Sequence, residues 1–483
     1  MLPPAATIGR NRPNFVEDRT LTTRAIIVRH GQSTYNIEQR IQGRLDKSVL
    51  TDLGRTTARQ VAVALAGINL DAVYCSPLQR AKETAELIVA DFHANPPFQG
   101  GQGGWQSTPT PQVSENLREI DLPLWEGMLR EEVKQKYSEE YRIWKQRPHE
   151  LCMTVTGENG TRDHFPVLAL YEQARLFWCE TLAQHRGQTI LIVAHNGINR
   201  CLLGAAVGIP PSCYHSIQQT NCGISVLNFP DSSNGELPPP EAVQMESMNL
   251  TGHVGQNLPK PRPGHDGPRL LLVRHGETDW NRNQQFQGQI DVPLNDHGRK
   301  QAAQAAQFLQ DVQIDWAVTS PLARPKETGE IILQYHPHVQ LQLDDRMKEI
   351  SHGLWEGKFE REIEQEFPGM LQQWKEKPET VQMPEGENLQ QVWERSIEAW
   401  RSIVAAAAPG TTGLVVGHDA INKAILCHLF DLAPEHFWNF KQGNGSVTVI
   451  DYPKGADGEP VLQSLNITTH LGGVLDKTAA GAL

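Results

Sequence analysis

The stretch Leu-Leu-Leu-Val-Arg-His-Gly-Glu-Thr-Asp-Trp-Asn, residues 270–281, decides how the chain folds. Its four aliphatic residues predict a short strand that is buried on both faces of a parallel sheet. Arg274 and His275 follow at once, so polar side chains stand at the carboxyl end of that strand. In open α/β sheets this edge is where ligands bind, because the chain leaves a crevice there.

The same pattern occurs earlier, at residues 25–36, as Ala-Ile-Ile-Val-Arg-His-Gly-Gln-Ser-Thr-Tyr-Asn. Four further segments recur in the same order after each of these two stretches. They are residues 42–46 with 287–291, 76–84 with 320–328, 119–127 with 349–357, and 247–253 with 464–470. Self-similarity of this kind indicates that the chain is a duplicated unit.

The repeat predicts two domains, a first over residues 22–254 and a second over 269–472. The stretch 255–268 contains four prolines and several glycines and is predicted to be a linker. Residues 1–21 are predicted to be a disordered tail and 473–483 a second tail. The first copy has 14 extra residues between its second Arg and its Glu, which we assign to a Gly- and Pro-rich loop at 95–111. It has 7 more before its last His, assigned to the region 160–166.

Short apolar runs and helical patterns alternate along both copies. Asn295 is a plausible N-cap for the Ala- and Gln-rich helical stretch that follows it. The fold class predicted is α/β, with two tandem three-layer α/β/α domains that each have a mainly parallel central sheet. The predicted strands are residues 25–28, 72–75 and 190–194 in the first copy and 270–273, 316–319 and 414–417 in the second.

Composition limits the possible partners and compartment. The formal net charge of −12 argues against a nucleic-acid partner, which a basic face would normally attract. No run of 18 apolar residues is present and the first residues have no apolar signal core, so we expect no membrane contact and a cytoplasmic location. The seven cysteines are odd in number and form no Cys-x-x-Cys, which favours free thiols. The oligomeric state is left open.

The polar residues at the strand ends suit a phosphate group. An Arg guanidinium offers a planar fork of donors and keeps its charge, so two Arg and two His could surround one phosphoryl group without a metal. A neutral imidazole can attack phosphorus, and a nearby carboxylic acid can give the leaving alkoxide its proton. No Gly-x-x-x-x-Gly-Lys loop or Asp-rich magnesium motif is present, so no cofactor and no metal are expected. The candidates are Arg274, His275, Arg324, Glu349 and His418 in the second copy and Arg29, His30, Arg80, Glu119 and His195 in the first.

The motif at 274–281 resembles the signature of the histidine phosphatase superfamily, in its phosphoglycerate mutase-like branch 1. Segments 320–324, 349–357, 386–388 and 416–418 resemble the family's later motifs in order. The resemblance implies that His275 is the phosphorylated nucleophile and Glu349 the proton donor, with His30 and Glu119 in these roles in the first copy. The remaining Arg and His of each set would hold the phosphate. The substrate pocket is expected to include Asn281, Gln287 and Gly288, and in the first copy Asn36, Gln42 and Gly43.

The two copies differ beside the expected sites. Residues 122–123 are Leu-Pro where 352–353 are His-Gly, and 196–197 are Asn-Gly where 419–420 are Asp-Ala. Neither difference removes a catalytic group, so both copies are expected to be active, with the second closer to the family pattern.

We therefore expect a metal-independent phosphatase that acts on a small phosphorylated metabolite, such as a sugar phosphate or phosphoserine, through a phosphohistidine intermediate. Two alternatives stay open. One is a mutase-type phosphotransferase, although residues 350–357 resemble the phosphatase branches more closely. The other is a tandem protein whose first copy is a non-catalytic regulatory module.

Overall fold

The computed structural model describes residues 22–94, 109–157, 160–231 and 237–479. The predicted N-terminal tail, most of the predicted loop at 95–111 and the last four residues lie outside these ranges. In the first copy the strands are β1 Thr22–Arg29, β2 Ala72–Cys75, β3 Gln112–Val113, β4 Met153–Gly157, β5 Gly160–His164, β6 Thr189–Ala194, β7 Ile224–Pro230 and β8 Gln244–Leu250. Its helices are α1 Thr34–Glu38, α2 Asp52–Ala64, α3 Gln79–Ala94, α4 Arg130–Lys136, α5 Ser138–Gln146, α6 Pro166–Leu182 and α7 Asn196–Val207.

The second copy repeats this order of elements without a counterpart of β4 and β5 among the described residues. Its strands are β9 Arg269–Arg274, β10 Trp316–Thr319, β11 Leu341–Leu343, β12 Thr412–Gly417, β13 Val447–Asp451 and β14 Val461–Ile467. Its helices are α8 Asp279–Asn283, α9 Asp296–Leu309, α10 Ala323–Ile332, α11 Glu360–Glu366, α12 Met370–Glu376, α13 Leu389–Ala406, α14 Asp419–His428 and α15 Thr469–Gly472.

Each copy contributes six strands to one sheet of twelve in the described part of the chain, in the order β11-β10-β12-β9-β13-β14-β8-β7-β1-β6-β2-β3. Strands β1, β6, β2 and β3 pair in parallel, and β7 and β8 add two antiparallel strands. Strands β9, β12, β10, β11, β13 and β14 repeat this arrangement. The prediction of an α/β fold with mainly parallel pairing in each copy is confirmed, and all six predicted strands are present.

The two halves of the sheet join edge to edge, which the sequence did not predict. Strand β8 pairs antiparallel with β14, with Met248 opposite Leu465. An unpaired edge strand exposes backbone donors and acceptors, and pairing the last strand of each copy with that of the other covers both edges.

Side chains alternate between the two faces of the sheet, as strand geometry requires. In β1, Ile26 and Val28 pack in one apolar layer with residues of α2 and α3, while Ala25 and Ile27 pack in the other with residues of α6 and α7. Both layers include residues of the second copy, so the sheet is covered on both faces throughout.

Local sequence explains several element ends. The Asn295 side chain accepts a hydrogen bond from the Gly298 amide at 2.8 Å, so it caps α9 as predicted. The extra residues near 160–166 belong to β5 and the start of α6, and β4 and β5 form a separate two-stranded sheet. All seven cysteines are free thiols in the structure. No described helix combines the length and the apolar character needed to cross a membrane.

The linker and the C-terminal segment are packed against the sheet. Arg262 donates to the carbonyl oxygens of His215 at 2.7 Å and Ile217 at 3.1 Å. Beyond residue 472, Val474 is buried and the Asp476 amide donates to the Glu246 carboxylate at 2.9 Å. The part of the predicted C-terminal tail that the structure describes is therefore held at the sheet, because the Asp476 amide binds β8 and its carboxylate accepts from the Asn466 side chain of β14 at 3.2 Å.

Candidate active sites

The candidate residues of the second copy come together at one edge of the sheet. Strands β10, β12 and β9 are neighbours, and Arg274 ends β9, His418 follows β12 and Arg324 lies in the first turn of α10 after β10. Glu349 reaches the same place from the loop before α11 and lies against the first turn of α14. All five side chains, including His275, are buried.

The two ring nitrogens of His275 have different hydrogen-bonding roles: one carries a proton and the other accepts a hydrogen bond. Its Nδ1 lies 2.7 Å from the Gly276 carbonyl oxygen, which can only accept, so Nδ1 carries the proton and Nε2 keeps its lone pair. The Arg324 Nε lies 3.3 Å from this Nε2. Burial holds the pKa of His275 well below its ordinary value, and the charges of Arg324 and Arg274 lower it further. The imidazole is therefore neutral near pH 7, as a nucleophile must be.

The two arginines are held by backbone carbonyls. Arg324 donates to the carbonyl oxygens of Gly288 at 2.7 Å and Ile290 at 3.0 Å. Arg274 donates to the Gln442 carbonyl oxygen. These bonds fix the direction of each guanidinium before any ligand arrives, which lowers the entropic cost of binding an oxyanion.

His418 completes the cationic side of the cluster. Its ring lies 5.2 Å from that of His275, and its Nε2 is 2.9 Å from the Ser320 hydroxyl. Burial holds the pKa of His418 well below its ordinary value, with Arg324 and His275 as further causes. A bound phosphate dianion would oppose that shift and favour the protonated ring.

The surroundings of Glu349 favour its protonated form. Glu349 accepts a hydrogen bond from the Ile350 amide at 3.0 Å and a longer one from the Ala420 amide at 3.4 Å. Burial raises the pKa of Glu349, and the Asp419 carboxylate raises it further. A raised pKa keeps the carboxyl protonated closer to neutral pH, where a leaving alkoxide needs a proton.

The first copy builds the same cluster. The rings of His30 and His195 lie 5.1 Å apart, the His30 Nδ1 is 2.7 Å from the Gly31 carbonyl oxygen, and the His195 Nε2 is 2.8 Å from the Ser76 hydroxyl. Arg80 donates to the Gly43 carbonyl oxygen at 3.0 Å. Burial and two guanidinium groups hold the pKa of His30 well below its ordinary value, as they do for His275.

The carboxylate of the first copy is bound differently. Glu119 accepts from the amides of Ile120 at 2.8 Å, Gly197 at 2.9 Å and Ile198 at 3.2 Å. A Cβ atom at Gly197 would lie 2.4 Å from the Glu119 Oε1, so only glycine permits this approach. Ala420 occupies the matching position in the second copy, and there Glu349 accepts one longer bond from the start of α14, from the Ala420 amide at 3.4 Å.

An arginine also fixes the backbone beside each carboxylate, but it comes from a different element in each copy. Arg44, in the loop after α1, donates to the Glu119 carbonyl oxygen at 3.2 Å. Arg395, in α13, donates to the Glu349 carbonyl oxygen at 2.9 Å. Both guanidinium groups therefore bind the backbone carbonyl of the carboxylate residue, although the two arginines do not occupy matching places in the repeat.

The predicted pocket residues form a polar network in the segment that follows His275. The Asn281 Oδ1 accepts from the Thr278 amide at 3.1 Å, and the Gln287 Oε1 accepts from the Thr278 hydroxyl at 2.9 Å. In the first copy Ser33 makes the corresponding bonds to Asn36 at 3.0 Å and Gln42 at 3.2 Å. Gly288 and Gly43 take part through the carbonyl oxygens that hold the arginines.

Two pairs of residues in these clusters were missed from the sequence. Ser320 and Ser76 contact the last histidine of each set, and they stood inside a repeated motif that we had already identified. Asn444 donates to the His275 carbonyl oxygen at 3.1 Å, and Asn221 to that of His30 at 2.9 Å. The recurrence of Gln-x-Asn at 219–221 and 442–444 was the signal for these asparagines.

The loops beside the carboxylates differ as their sequences suggest. His352 is buried and its ring packs against Phe286 and Trp374, with centroids 5.1 and 5.9 Å apart. In the first copy Leu122 is buried instead, and the His164 Nε2 at the end of β5 donates to the neighbouring Asp121 carbonyl oxygen at 3.1 Å. Among the described residues, no group of three or more His, Cys, Asp or Glu side chains is arranged to hold a metal ion.

Comparison with known proteins agrees with the duplicated architecture. The sequence profile of the histidine phosphatase superfamily (branch 1) matches residues 25–236 and again 270–468. The 2-carboxy-D-arabinitol-1-phosphatase of Triticum aestivum is 30% identical over 464 residues, which cover 93% of this chain and 86% of that protein. Phosphoserine phosphatase 1 of Hydrogenobacter thermophilus is 33% identical over 204 residues, 42% of this chain and 94% of that protein. The solved structure of Bacillus stearothermophilus YhfR is 33% identical, covers 39% of this chain and 93% of its own, and superposes with a TM-score of 0.38. The chain therefore belongs to branch 1 of the histidine phosphatase superfamily and carries one copy of the family's sequence in each half.

Proposed function

We propose that this chain is a metal-independent phosphatase that hydrolyses small phosphate monoesters through a phosphohistidine intermediate. The observation that carries the proposal is the His275 Nε2, an uncharged and unprotonated imidazole nitrogen that accepts a 3.3 Å hydrogen bond from the Arg324 Nε. In the first copy the His30 Nδ1 lies against the Gly31 carbonyl oxygen in the same way, and burial with the charges of Arg80 and Arg29 lowers its pKa, so we propose that both sites turn over.

The reaction starts with binding of the phosphoryl group among positive and hydrogen-bonding groups. Arg274, Arg324 and His418 take its non-bridging oxygens, which spreads and stabilises the negative charge. The His275 Nε2 then attacks phosphorus, forming an N–P bond as the ester P–O bond breaks. Glu349, whose raised pKa favours the protonated form, gives its proton to the leaving alkoxide oxygen.

The second half-reaction returns the residues to their starting state. The ionised Glu349 accepts a proton from water as the water oxygen attacks phosphorus and the N–P bond breaks. Inorganic phosphate is released, the imidazole is neutral again and the carboxyl is protonated.

Substrate identity is a separate part of the proposal. The relatives that align across both copies are described as 2-carboxy-D-arabinitol-1-phosphatases, and one of the single-copy relatives as a phosphoserine phosphatase. A phosphorylated sugar acid and phosphoserine therefore come first in the substrate panel, followed by sugar phosphates and phosphoglycerates.

The test measures free phosphate release from this panel in the presence of EDTA and without added bisphosphoglycerate. We expect activity under these conditions, partial loss in His275→Ala and in His30→Ala, and loss to background in the double variant. His297, exposed on α9, provides a matched His→Ala control that should behave like the parent.

Three results would contradict the proposal. Inactivation by EDTA would show that a metal takes part in the chemistry. A requirement for added bisphosphoglycerate would favour the mutase alternative. Full loss in His275→Ala alone would mean that the first copy is not catalytic.

A further inference from the structure

The repeated segments 247–253 and 464–470, Ser-x-Asn-x-Thr-x-His, have no role in the proposed reaction. They cover the ends of β8 and β14, where the two copies of the chain meet. Asn249 and Asn466 at their centres are fully buried and have left-handed backbones, with φ of 53° and 52°. Asparagine adopts this conformation more readily than other residues with a side chain.

The Asn249 side chain joins the two copies. Its Oδ1 accepts from the Thr220 amide of the first copy at 2.7 Å, and its Nδ2 donates to the Gln463 carbonyl oxygen in β14 at 2.7 Å. One amide thus satisfies a backbone donor in one copy and a backbone acceptor in the other.

Asn466 does the same in the opposite direction. Its Oδ1 accepts from the Gly443 amide of the second copy at 2.7 Å, and its Nδ2 donates to the Glu246 carbonyl oxygen in β8 at 2.8 Å. The arrangement is built twice, with the copies exchanging roles.

Each asparagine holds a loop that itself holds an active site. In the first copy the Gln219 carbonyl oxygen accepts from Arg29 at 2.7 Å, and the Asn221 side chain donates to the His30 carbonyl oxygen at 2.9 Å. These two residues flank Thr220, the residue that Asn249 binds. The bond between Asn249 and β14 of the opposite copy is therefore linked, through Thr220 and its two neighbours, to Arg29 and to His30.

The same holds in the second copy. Gln442 and Asn444 flank Gly443, and they bond to Arg274 and to the His275 carbonyl oxygen.

The histidines of the repeated segments secure the far end of each loop. The His253 Nε2 lies 2.9 Å from the Cys222 carbonyl oxygen, and the His470 Nε2 lies 3.0 Å from that of Gly445. A carbonyl oxygen can only accept, so both rings donate here.

We propose that Asn249 and Asn466 are positioning residues, each of which uses the opposite copy of the chain as a rigid support for the loop that aims its own copy's arginine and histidine. This rests on the proposed function for the roles of His30 and His275. It follows that each active site depends on contact with the other copy, although no side chain of one copy enters the site of the other through this link.

The test uses two parents, each with a single active site. His275→Ala leaves the first site and His30→Ala leaves the second. Asn249→Gly is added to both, since glycine adopts the left-handed backbone without strain and removes only the side-chain bonds. We expect kcat/KM to fall about tenfold at the first site, as the loss of an ordinary buried hydrogen bond predicts, and to stay within about twofold at the second.

The companion variant Asn466→Gly should give the reverse pattern. In each case we expect the inhibition constant of inorganic phosphate to rise at the affected site, because the arginine that binds phosphate is no longer aimed. Asn249→Asp keeps the acceptor for Thr220 and loses the donor to Gln463, so it should recover part of the lost activity.

Equal losses at both sites would overturn the proposal, since they would mean general damage to the join between β8 and β14. Unchanged phosphate affinity at the first site would overturn it as well. Hydrogen–deuterium exchange of residues 219–223 and 442–446 gives a readout that needs no catalysis. Asn249→Gly should speed exchange of the first loop about tenfold and leave the second unchanged. If the single-site parents are inactive, the proposed function fails, while the exchange result still decides whether the asparagines support the loops.

Discussion

Replacing Gly197 by alanine should selectively weaken proton donation at the first site. The added Cβ would lie 2.4 Å from the Glu119 Oε1 and 2.7 Å from the Tyr214 hydroxyl. Contacts of a Cβ atom below 3.0 Å essentially do not occur, so the carboxylate must retreat by at least about 0.6 Å. It would then lose its short bonds to the amides of Gly197 and Ile198, now 2.9 and 3.2 Å long.

The expected size of the effect follows from these distances. Each lost bond removes about 1 kcal/mol of stabilisation of the carboxylate in its present place. A catalytic group displaced by up to about 1 Å can lose about 100-fold in rate, and general acid catalysis contributes at least about 100-fold in total. We therefore expect kcat at the first site to fall by about 10- to 100-fold for an alkyl phosphate, with little change in KM, since the proton is transferred only in the transition state.

The assay is phosphate release by Gly197→Ala in the His275→Ala background, with two esters compared. An alkyl phosphate needs a proton on its leaving oxygen, whereas p-nitrophenyl phosphate releases a stable anion that does not. The loss should be large for the first ester and less than about threefold for the second. Equal losses for both esters, or no loss for either, would refute the placement of Glu119 as the proton donor.

The second site provides the reciprocal variant. Ala420→Gly, in the His30→Ala background, opens the space that lets Glu349 approach the first turn of α14. Backbone amides there favour the ionised carboxylate, so the pKa of Glu349 should fall. The alkaline limb of the kcat profile should move to lower pH, because a general acid works only while it holds its proton.

Three further predictions concern charge and pH. Asp419→Asn removes a carboxylate that raises the pKa of Glu349, so the alkaline limb of second-site turnover should shift to lower pH in a pH–rate profile. Arg324→Lys keeps the charge but loses the planar fork, so kcat/KM at the second site should fall by about 100-fold or more in the variant whose first site is inactive. Burial lowers the pKa of both His253 and His470 to about 4. Above pH 6.5 neither histidine makes stability depend on pH, whereas from pH 6.5 to 4 the unfolded chain takes up protons that the folded chain does not. The free energy of unfolding should therefore fall over this range by up to about 3 kcal/mol per histidine, and urea denaturation should show a smaller fall in the His253→Asn/His470→Asn variant.

Much of the fold was predictable because its main patterns are local. A run such as residues 270–273 is apolar at every position and too short for a helix, so it indicates a buried strand. Polar residues that follow several such strands meet at one edge of a parallel sheet, which is why His275 and His418 could be placed together before their distance was known. The cap at Asn295 was equally local.

Other features depend on contacts between distant parts of the chain. Arg44 and Arg395 have the same function beside the two carboxylates, yet they do not align in the repeat, since one comes from a loop and the other from a helix. The join between β8 and β14 depends on two edge strands that lie more than 200 residues apart. Local sequence patterns do not indicate which edge strand of one copy will pair with which edge strand of the other.

By itself, the sequence determined the duplication, the parallel strands and which residues are candidates to bind and attack a phosphate, because covalent order and residue chemistry are enough for these. Only the tertiary structure decided that one missing methyl group at Gly197 lets Glu119 accept short bonds from two amides at the start of α7, while Glu349 accepts one longer bond from the start of α14. It also decided that Asn249 and Asn466 tie each site to the opposite copy. Both outcomes depend on differences of a few tenths of an ångström in the distances between residues far apart in the chain. Packing sets such distances.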